Sequence, residues 1–252
     1  MPLLVFQLQA QLSAWGDTAV GEYRPSHDCP GISALVGLLG AALGLRREDE
    51  AAHVALRDGY GFAIGVQSSG KLLRDYHTAQ VPGQTSLKKR PHASRRDELA
   101  IPRHELNTIL STRDFRQDAR YLVAVQARDD SPYSLEALGG ALRKPHFVLY
   151  LGRKTCPPGA PLHPQIIEAE SADQAFDRYL ERLTKTIATL DGTARGATLE
   201  LPAQVERIAW GQGIAVDLAP DLTVTRKDRQ LRRRGWQFGD RTEHVAFIRK
   251  EA

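Results

Sequence analysis

Apolar residues along the chain cluster at two spacings, one suited to strands and one to helices. Leu3 to Leu8 is rich in Leu, Val and Phe and reads as a buried first strand. Tyr60 to Val66 reads as a second strand, and Lys71 to Thr78, reached through a Ser-Ser-Gly turn, as a third. Between the first two, Ala34 to Leu45 predicts a helix with Ser33 at its N-cap, and Glu48 to Arg57 predicts another. Gly37, Gly40 and Gly44 inside the first helix cost about 1 kcal/mol each against alanine. Their presence predicts close packing on a sheet. Glu105 to Leu110 and Arg120 to Ala127 return to a strand pattern. Ser131 to Leu142 is a helix capped by Ser131 or Ser134 and stopped by Pro145, and His146 to Leu151 is the next strand. Residues 1–151 therefore have the β-α-β-β-α-β order of a ferredoxin-like unit, in the α+β class.

Two stretches break this rhythm. From Ala79 to Arg103 the chain is polar and proline-containing, with Lys88, Lys89, Arg90, Arg95, Arg96 and Arg103 against only Asp97 and Glu98. An excursion this long inside a compact domain is functional or disordered. It predicts a long β-hairpin, a thumb over about residues 79–110, projecting from the sheet. Beyond residue 160 the pattern is β-rich and less regular. Ala172 to Ile187 is helical, and Ala197 to Leu201 and Gly213 to Leu218 read as short strands. The Thr223 to Arg249 segment contains a basic arm in which Arg226, Lys227, Arg229, Arg232, Arg233 and Arg234 face only Asp228. The expected organisation is a domain over 1–160 and a smaller β-rich region over 161–252.

Composition narrows the class without naming a partner. The chain has 252 residues, 42% hydrophobic and 25% charged, with a formal net charge of +4. That permits a polyanionic partner without requiring one, so the placement of charge matters more than its total. Cys29 and Cys156 form no CxxC pair, and a reducing cytoplasm is the default expectation. No secretory leader is visible, and Ala34 to Leu45 is too short to span a bilayer, so no membrane role is expected.

Several motifs fail. Gly65 to Lys71 has the G-x-x-x-x-G-K spacing of a phosphate-binding loop, but Leu72 stands where the magnesium-ligating Ser or Thr belongs. The histidines at 53, 77, 92, 104, 146, 163 and 244 lack the i, i+4 spacing of a metal site. No metal or cofactor is expected. Tyr76 and His77 with Lys88 and Lys89 are a set able to cleave RNA without metal, through a base, an acid and a cation on the phosphorane.

The strongest local signal follows Leu151. Gly152, Arg153, Lys154 and Thr155 come at once, and Cys156, Pro157, Pro158 and Gly159 stop any regular element. A strand that ends on a glycine and two adjacent cations suits an anionic backbone. Cys156 reads as a packed small residue.

Four ordered motifs carry a family resemblance over at least residues 3–160. They are Ala14-Trp15-Gly16 with Arg24-Pro25, the glycine-spaced helix from Ser33 to Gly44, Leu73-Arg74-Asp75-Tyr76-His77-Thr78, and Lys144-Pro145 with Tyr150-Leu151-Gly152-Arg153 and Cys156-Pro157. In these the chain resembles the CasD family of type I-E CRISPR surveillance complexes, one of the repeat-associated mysterious proteins, whose domains are modified RNA-recognition folds. Lys154 and Thr155 depart from the family's Arg and Ser. The resemblance implies binding to the 5′ handle of a mature CRISPR RNA, capping of a backbone of repeated subunits, and help in docking the large subunit. It also implies that the hairpin lies against RNA and the adjacent backbone subunit. A separate subunit cuts the precursor RNA in this subtype, so no enzyme is expected. The alternative is a metal-independent endoribonuclease, since a relative in another subtype does cut. The residues read as touching RNA are Tyr23, Arg24, Ser33, Tyr76, His77, Lys88, Lys89, Arg90, Arg103, Tyr150, Gly152, Arg153 and Lys154, through phosphate pairing, stacking and base-edge hydrogen bonds.

Overall fold

The structure, a computed structural model, describes residues 1–88, 90, 92–191, 202–233 and 235–249. The first strand, β1, spans Pro2–Gln9, and four two-residue strands follow, β2 (Leu12–Ser13), β3 (Trp15–Gly16), β4 (Tyr23–Arg24) and β5 (Ser26–His27). Helices α1 (Ile32–Leu43) and α2 (Glu50–Asp58) lead to β6 (Tyr60–Ser68) and β7 (Lys71–Pro82). A single-turn helix, α3 (Arg95–Leu99), precedes β8 (Leu106–Gln117) and β9 (Arg120–Ala127). Then come α4 (Leu135–Arg143), β10 (Gln165–Glu168), α5 (Ala172–Asp191), β11 (Arg207–Trp210), β12 (Leu222–Arg232) and β13 (Gln237–Phe247).

Seven strands form one antiparallel sheet in the order β10-β1-β9-β6-β11-β13-β12. Alternation sorts the β1 side chains between two cores. Leu4, Phe6 and Leu8 join α1 and α4 on one face, while Leu3 and Val5 join α5 on the other. With both faces covered, β1, β6 and β9 are apolar almost throughout, which explains their continuous runs in the sequence. Helix α5 buries Ala172, Ala175, Phe176, Tyr179 and Leu180, an i, i+3, i+4, i+7, i+8 stripe. Helix α4 begins at the later of the two expected caps, with Ser134 Oγ accepting from the Ala137 N–H at 3.2 Å.

Two expected elements are corrected. His146 to Leu151 is not a strand. Its first N–H groups go to the last carbonyls of α1, His146 to Ala42 at 2.9 Å and Phe147 to Ala41 at 3.2 Å. The segment caps the orphan end of a helix instead of joining a ladder. The strand that pairs with β1 on that side is β10, whose four residues begin on Gln165 and end on Glu168 and carry little pattern. Gly213 to Leu218 is also not a strand. The Ala215 N–H is taken by Gln126 Oε1 at 3.0 Å and the Asp217 N–H by Asp173 Oδ1 at 2.9 Å. Ala197 to Leu201 lies outside the described residues. The sheet runs across residue 160, since β10 to β13 belong to it. The basic arm is the β12–β13 hairpin.

The polar excursion is bounded by a second hairpin. β7 and β8 pair without interruption from Lys71↔Gln117 to Pro82↔Leu106. The described residues between 83 and 105 close its tip, with α3 held by a capping box between Ser94 and Asp97. The nucleotide-loop lookalike is the end of β6, the two-residue turn after it and the start of β7, and no helix follows it. Among the described residues no helix is long and apolar enough to cross a membrane.

Candidate nucleic-acid interface

Three clefts of about 760, 410 and 560 Å³ run into one another along the outer side of α1. The helix supplies the floor through Ser33, Ala34, Gly37 and Ala41. One wall is the 146–154 segment, with Phe147, Val148, Tyr150 and Lys154. The other is the tip of the β12–β13 hairpin, with Arg233, Trp236 and Phe238. The loop after β1 closes one end with Gly16, Asp17 and Arg24, and the α1–α2 loop closes the other with Arg46, Arg47 and Glu48. Gly37 has a physical role here, since a side chain on it would fill the floor beneath the Arg233 guanidinium. The expected packing of all three helix glycines on the sheet is corrected. Gly40 meets His53 of α2, and Gly44, at φ +83, ends the helix.

Of the predicted residues, Arg24, Ser33, Tyr150, Gly152, Arg153 and Lys154 line this groove. Tyr150 is 39% exposed, because the segment that carries it is an extended cap on α1 whose ring faces outward. Lys154 is exposed and has no hydrogen-bond or ion-pair partner among the described residues. Arg24 lines the floor's far end, though its Nη1 donates to the carbonyls of Gly21 and Tyr23 at 2.6 and 3.0 Å.

Gly152 and Arg153 also do structural work. Gly152 adopts φ +87, and a Cβ there would lie 1.7 Å from the Ala14 carbonyl oxygen. The glycine admits the protein's own main chain, which Ala14 N–H and Leu151 O join at 3.0 Å. Arg153 spreads its guanidinium over the Phe115 ring at 4.6 Å and donates to the carbonyls of Asp114 and Arg24, each at 3.1 Å. Burial and the neighbouring Arg113 hold it below the usual guanidinium range. Tyr23 is likewise engaged. Its hydroxyl donates to Asp114 Oδ2 at 2.5 Å, which raises the phenol above its ordinary value. Arg74, from the LRDYHT segment, completes the set by bonding both Asp114 oxygens and the Tyr23 hydroxyl.

The N-terminus of α1 is also corrected. Ser33 sits in the first turn, and Gly31 is the N-cap with no side-chain cap of its own. The Ile32 N–H donates to Asp228 Oδ2 at 2.8 Å, so a carboxylate from β12 occupies the positive end of the helix. Asp228 is held in turn by Arg241, at 2.6 and 3.0 Å, and Arg241 and Arg226 share Glu243. All four side chains are nearly buried.

The remaining predicted residues are on the β7–β8 hairpin, where Tyr76 is 62% exposed. His77 Nδ1 lies 2.9 Å from Asp75 Oδ2. Tyr76 and His77 are consecutive on β7 and therefore point to opposite faces. Lys88, Arg90 and Arg103 are exposed around the tip, and Lys89 lies outside the described residues. Among the described residues no three His, Cys, Asp or Glu side chains gather to hold a metal ion. Both cysteines are buried, and burial pushes the Cys29 thiol up to about 11.

Sequence reasoning missed Arg46, Arg47, Trp236 and Phe238, which line the groove, and left Arg233 in an unassigned arm. The available signal was the aromatic pair directly after a basic run.

Comparison with known proteins agrees over nearly the whole length. The sequence model of the family described as CRISPR-associated protein (Cas_Cas5) matches residues 3–242. The chain is 30% identical over 184 residues to the CRISPR system Cascade subunit CasD of Escherichia coli (strain K12), covering 70% of this chain and 76% of that one. A solved chain from a CRISPR RNA-guided surveillance complex superimposes with a TM-score of 0.62 at 20% identity, over 97% of this chain and 89% of the other. Another, described as a Cas protein, gives 0.57 at 22% identity over 97% and 94%. Those two likenesses show the fold, whereas the family model and the curated relative show descent, and the chain belongs to the Cas5 family of CRISPR-associated proteins.

Proposed function

We propose that this protein is the CasD-type subunit of a type I-E Cascade surveillance complex and binds the single-stranded 5′ handle of CRISPR RNA in the α1 groove. The observation that carries this is the groove's lining. Exposed aromatic rings at Tyr150 and Trp236 alternate with Arg24, Arg46, Arg47 and Lys154, in the pattern that single-stranded RNA requires. The strand order β10-β1-β9-β6 supports a ferredoxin-like unit as the platform, because its members occur in the chain in the order β1, β6, β9, β10 with helices after the first and third.

The β7–β8 hairpin is the thumb of this reading. It exposes Leu72, Leu73, Tyr76, Ile109 and Leu110 together with its basic tip, a surface suited to RNA and a neighbouring backbone subunit at once. The large subunit docks at this same end of the complex. The subunit binds and does not cut. Supporting this, Tyr76 and His77 face apart, so the pair does not converge on one phosphate.

The deciding experiment is a mobility shift with handle-bearing RNA against a scrambled strand, run in chelator and scored also for cleavage. Selective retention of the handle RNA without new fragments is the expected result. Equal affinity for both strands sinks the handle assignment. Site-specific fragments that vanish in His77→Ala replace the binder with the ribonuclease.

A further inference from the structure

The tip of the β12–β13 hairpin carries features that the groove as a whole does not explain. Trp236 adopts φ +51, a left-handed conformation rare for a bulky residue and found where surroundings impose it. It presents the indole to solvent at 53% exposure, while Trp15 and Trp210 are buried. The Phe238 ring lies nearly parallel, 20° between planes and 6.4 Å between centroids. The Arg47 guanidinium stands 4.8 Å from the indole centroid. Arg233 lines the same cleft. Its Nη1 contacts His53 Nε2 at 2.5 Å, and its Nε is buried with no hydrogen-bond partner. The nearby Glu50 carboxylate is spent on the Arg233 backbone N–H at 3.0 Å. Among the described residues no carboxylate pairs with either guanidinium.

We infer that this tip is a nucleotide clamp, in which one unpaired base of the RNA stacks on Trp236 and Phe238 while its phosphate sits between Arg233 and Arg47. The inference rests on the single-stranded RNA reading of the groove and names the part that grips a base. Every base has a π-face, so the clamp is tolerant of sequence and fixes position rather than identity. An exposed guanidinium on an indole is held more weakly than a stacked base, so an incoming base displaces Arg47 from the ring and leaves its charge at the edge. A phosphate there neutralises two cations that otherwise repel. It also accepts charge-assisted hydrogen bonds, which are the strong ones. The repulsion is already visible, since burial and Arg47 together depress the basicity of Arg233.

Trp236 is the exposed indole of three, so intrinsic fluorescence of the full chain reads the clamp directly. Titration with handle-bearing RNA is expected to quench that emission in wild type and to leave Trp236→Phe largely unquenched, with most of its affinity kept. Trp236→Ala is expected to bind about tenfold more weakly. Arg47→Gln, at an exposed position, is expected to lower the logarithmic salt slope by about 0.7. Thermal melts of the three variants check that each is folded. RNA binding with unchanged indole emission, and with full affinity in Trp236→Ala, overturns the clamp and leaves the groove reading intact. Failure of the wild type to bind RNA at all removes both.

Discussion

Arg74 grips Asp114 with a forked contact, Nε to Oδ1 at 2.9 Å and Nη2 to Oδ2 at 3.1 Å. The pair crosses the β7–β8 ladder and draws in Tyr23 from β4. One buried carboxylate therefore fixes three strands at the base of the hairpin, where the groove's far loop begins.

A pH dependence follows from that pair. The hydrogen bond from Arg74 holds the Asp114 carboxyl below its ordinary value of 3.8 against the opposing effect of burial. A depressed carboxyl stabilises the fold fully above the unfolded value and loses that contribution as pH falls through the lower folded one. Asp114→Asn is expected to cost about 2 kcal/mol at neutral pH. The gap between wild type and variant should narrow as urea midpoints are followed to progressively more acid pH below that ordinary value. A gap that stays constant with pH would count against a charged Asp114.

Arg153 and Lys154 are neighbours with separate tasks. Lys154→Ala should leave the melting temperature unchanged and reduce the salt slope of RNA binding by about 0.7. Arg153→Ala removes two hydrogen bonds and a ring contact, so it should destabilise the fold by about 2 kcal/mol. Paired melts and salt titrations separate the two. A stable Arg153→Ala protein with a reduced slope would return Arg153 to the RNA.

Glycine substitutions offer a paired test of packing. Gly152→Ala drives a methyl to 1.7 Å from a main-chain oxygen at φ +87, and should destabilise by about 3 kcal/mol or more. Gly140→Ala, on α4 with nothing within 4 Å of the new methyl, should stabilise by about 0.5–1 kcal/mol. Denaturant midpoints measured side by side suffice. A neutral Gly152→Ala would mean that the loop rebuilds around Ala14.

Removing residues 84–100 takes away the hairpin tip while leaving the β7–β8 ladder and the seven-stranded sheet. The shortened protein should fold with a near-normal melt and fail to assemble with backbone subunits on RNA, as judged by size-exclusion of the co-expressed proteins. Normal assembly would end the thumb assignment, and loss of folding would place the tip in the core.

The sequence revealed elements whose burial writes itself into a pattern. β1, β6 and β9 are covered on both faces, and α5 on one, so each shows its period plainly. It misled where one feature had two physical causes. His146 to Leu151 is apolar because Leu149 and Leu151 are buried, yet its backbone caps a helix. Gly152 marks a close approach, but of Ala14 rather than a ligand. Tyr23 and Arg153 have RNA-binding chemistry and also make internal contacts that no local pattern announces. The cap from Asp228 and the contact of Arg47 with Trp236 join residues nearly two hundred positions apart, which no local pattern records.

That separation also has a timescale. The Asp228 carboxylate that caps Ile32 is synthesised 196 residues after it. At about 5–20 residues per second, roughly 10 to 40 seconds pass on the ribosome before the first helix meets its own terminus. Until then its leading N–H groups remain open to water or to any passing anion, and the groove above them lacks a wall. The floor of the groove is thus among the earliest parts of the chain to be made and among the last to be finished.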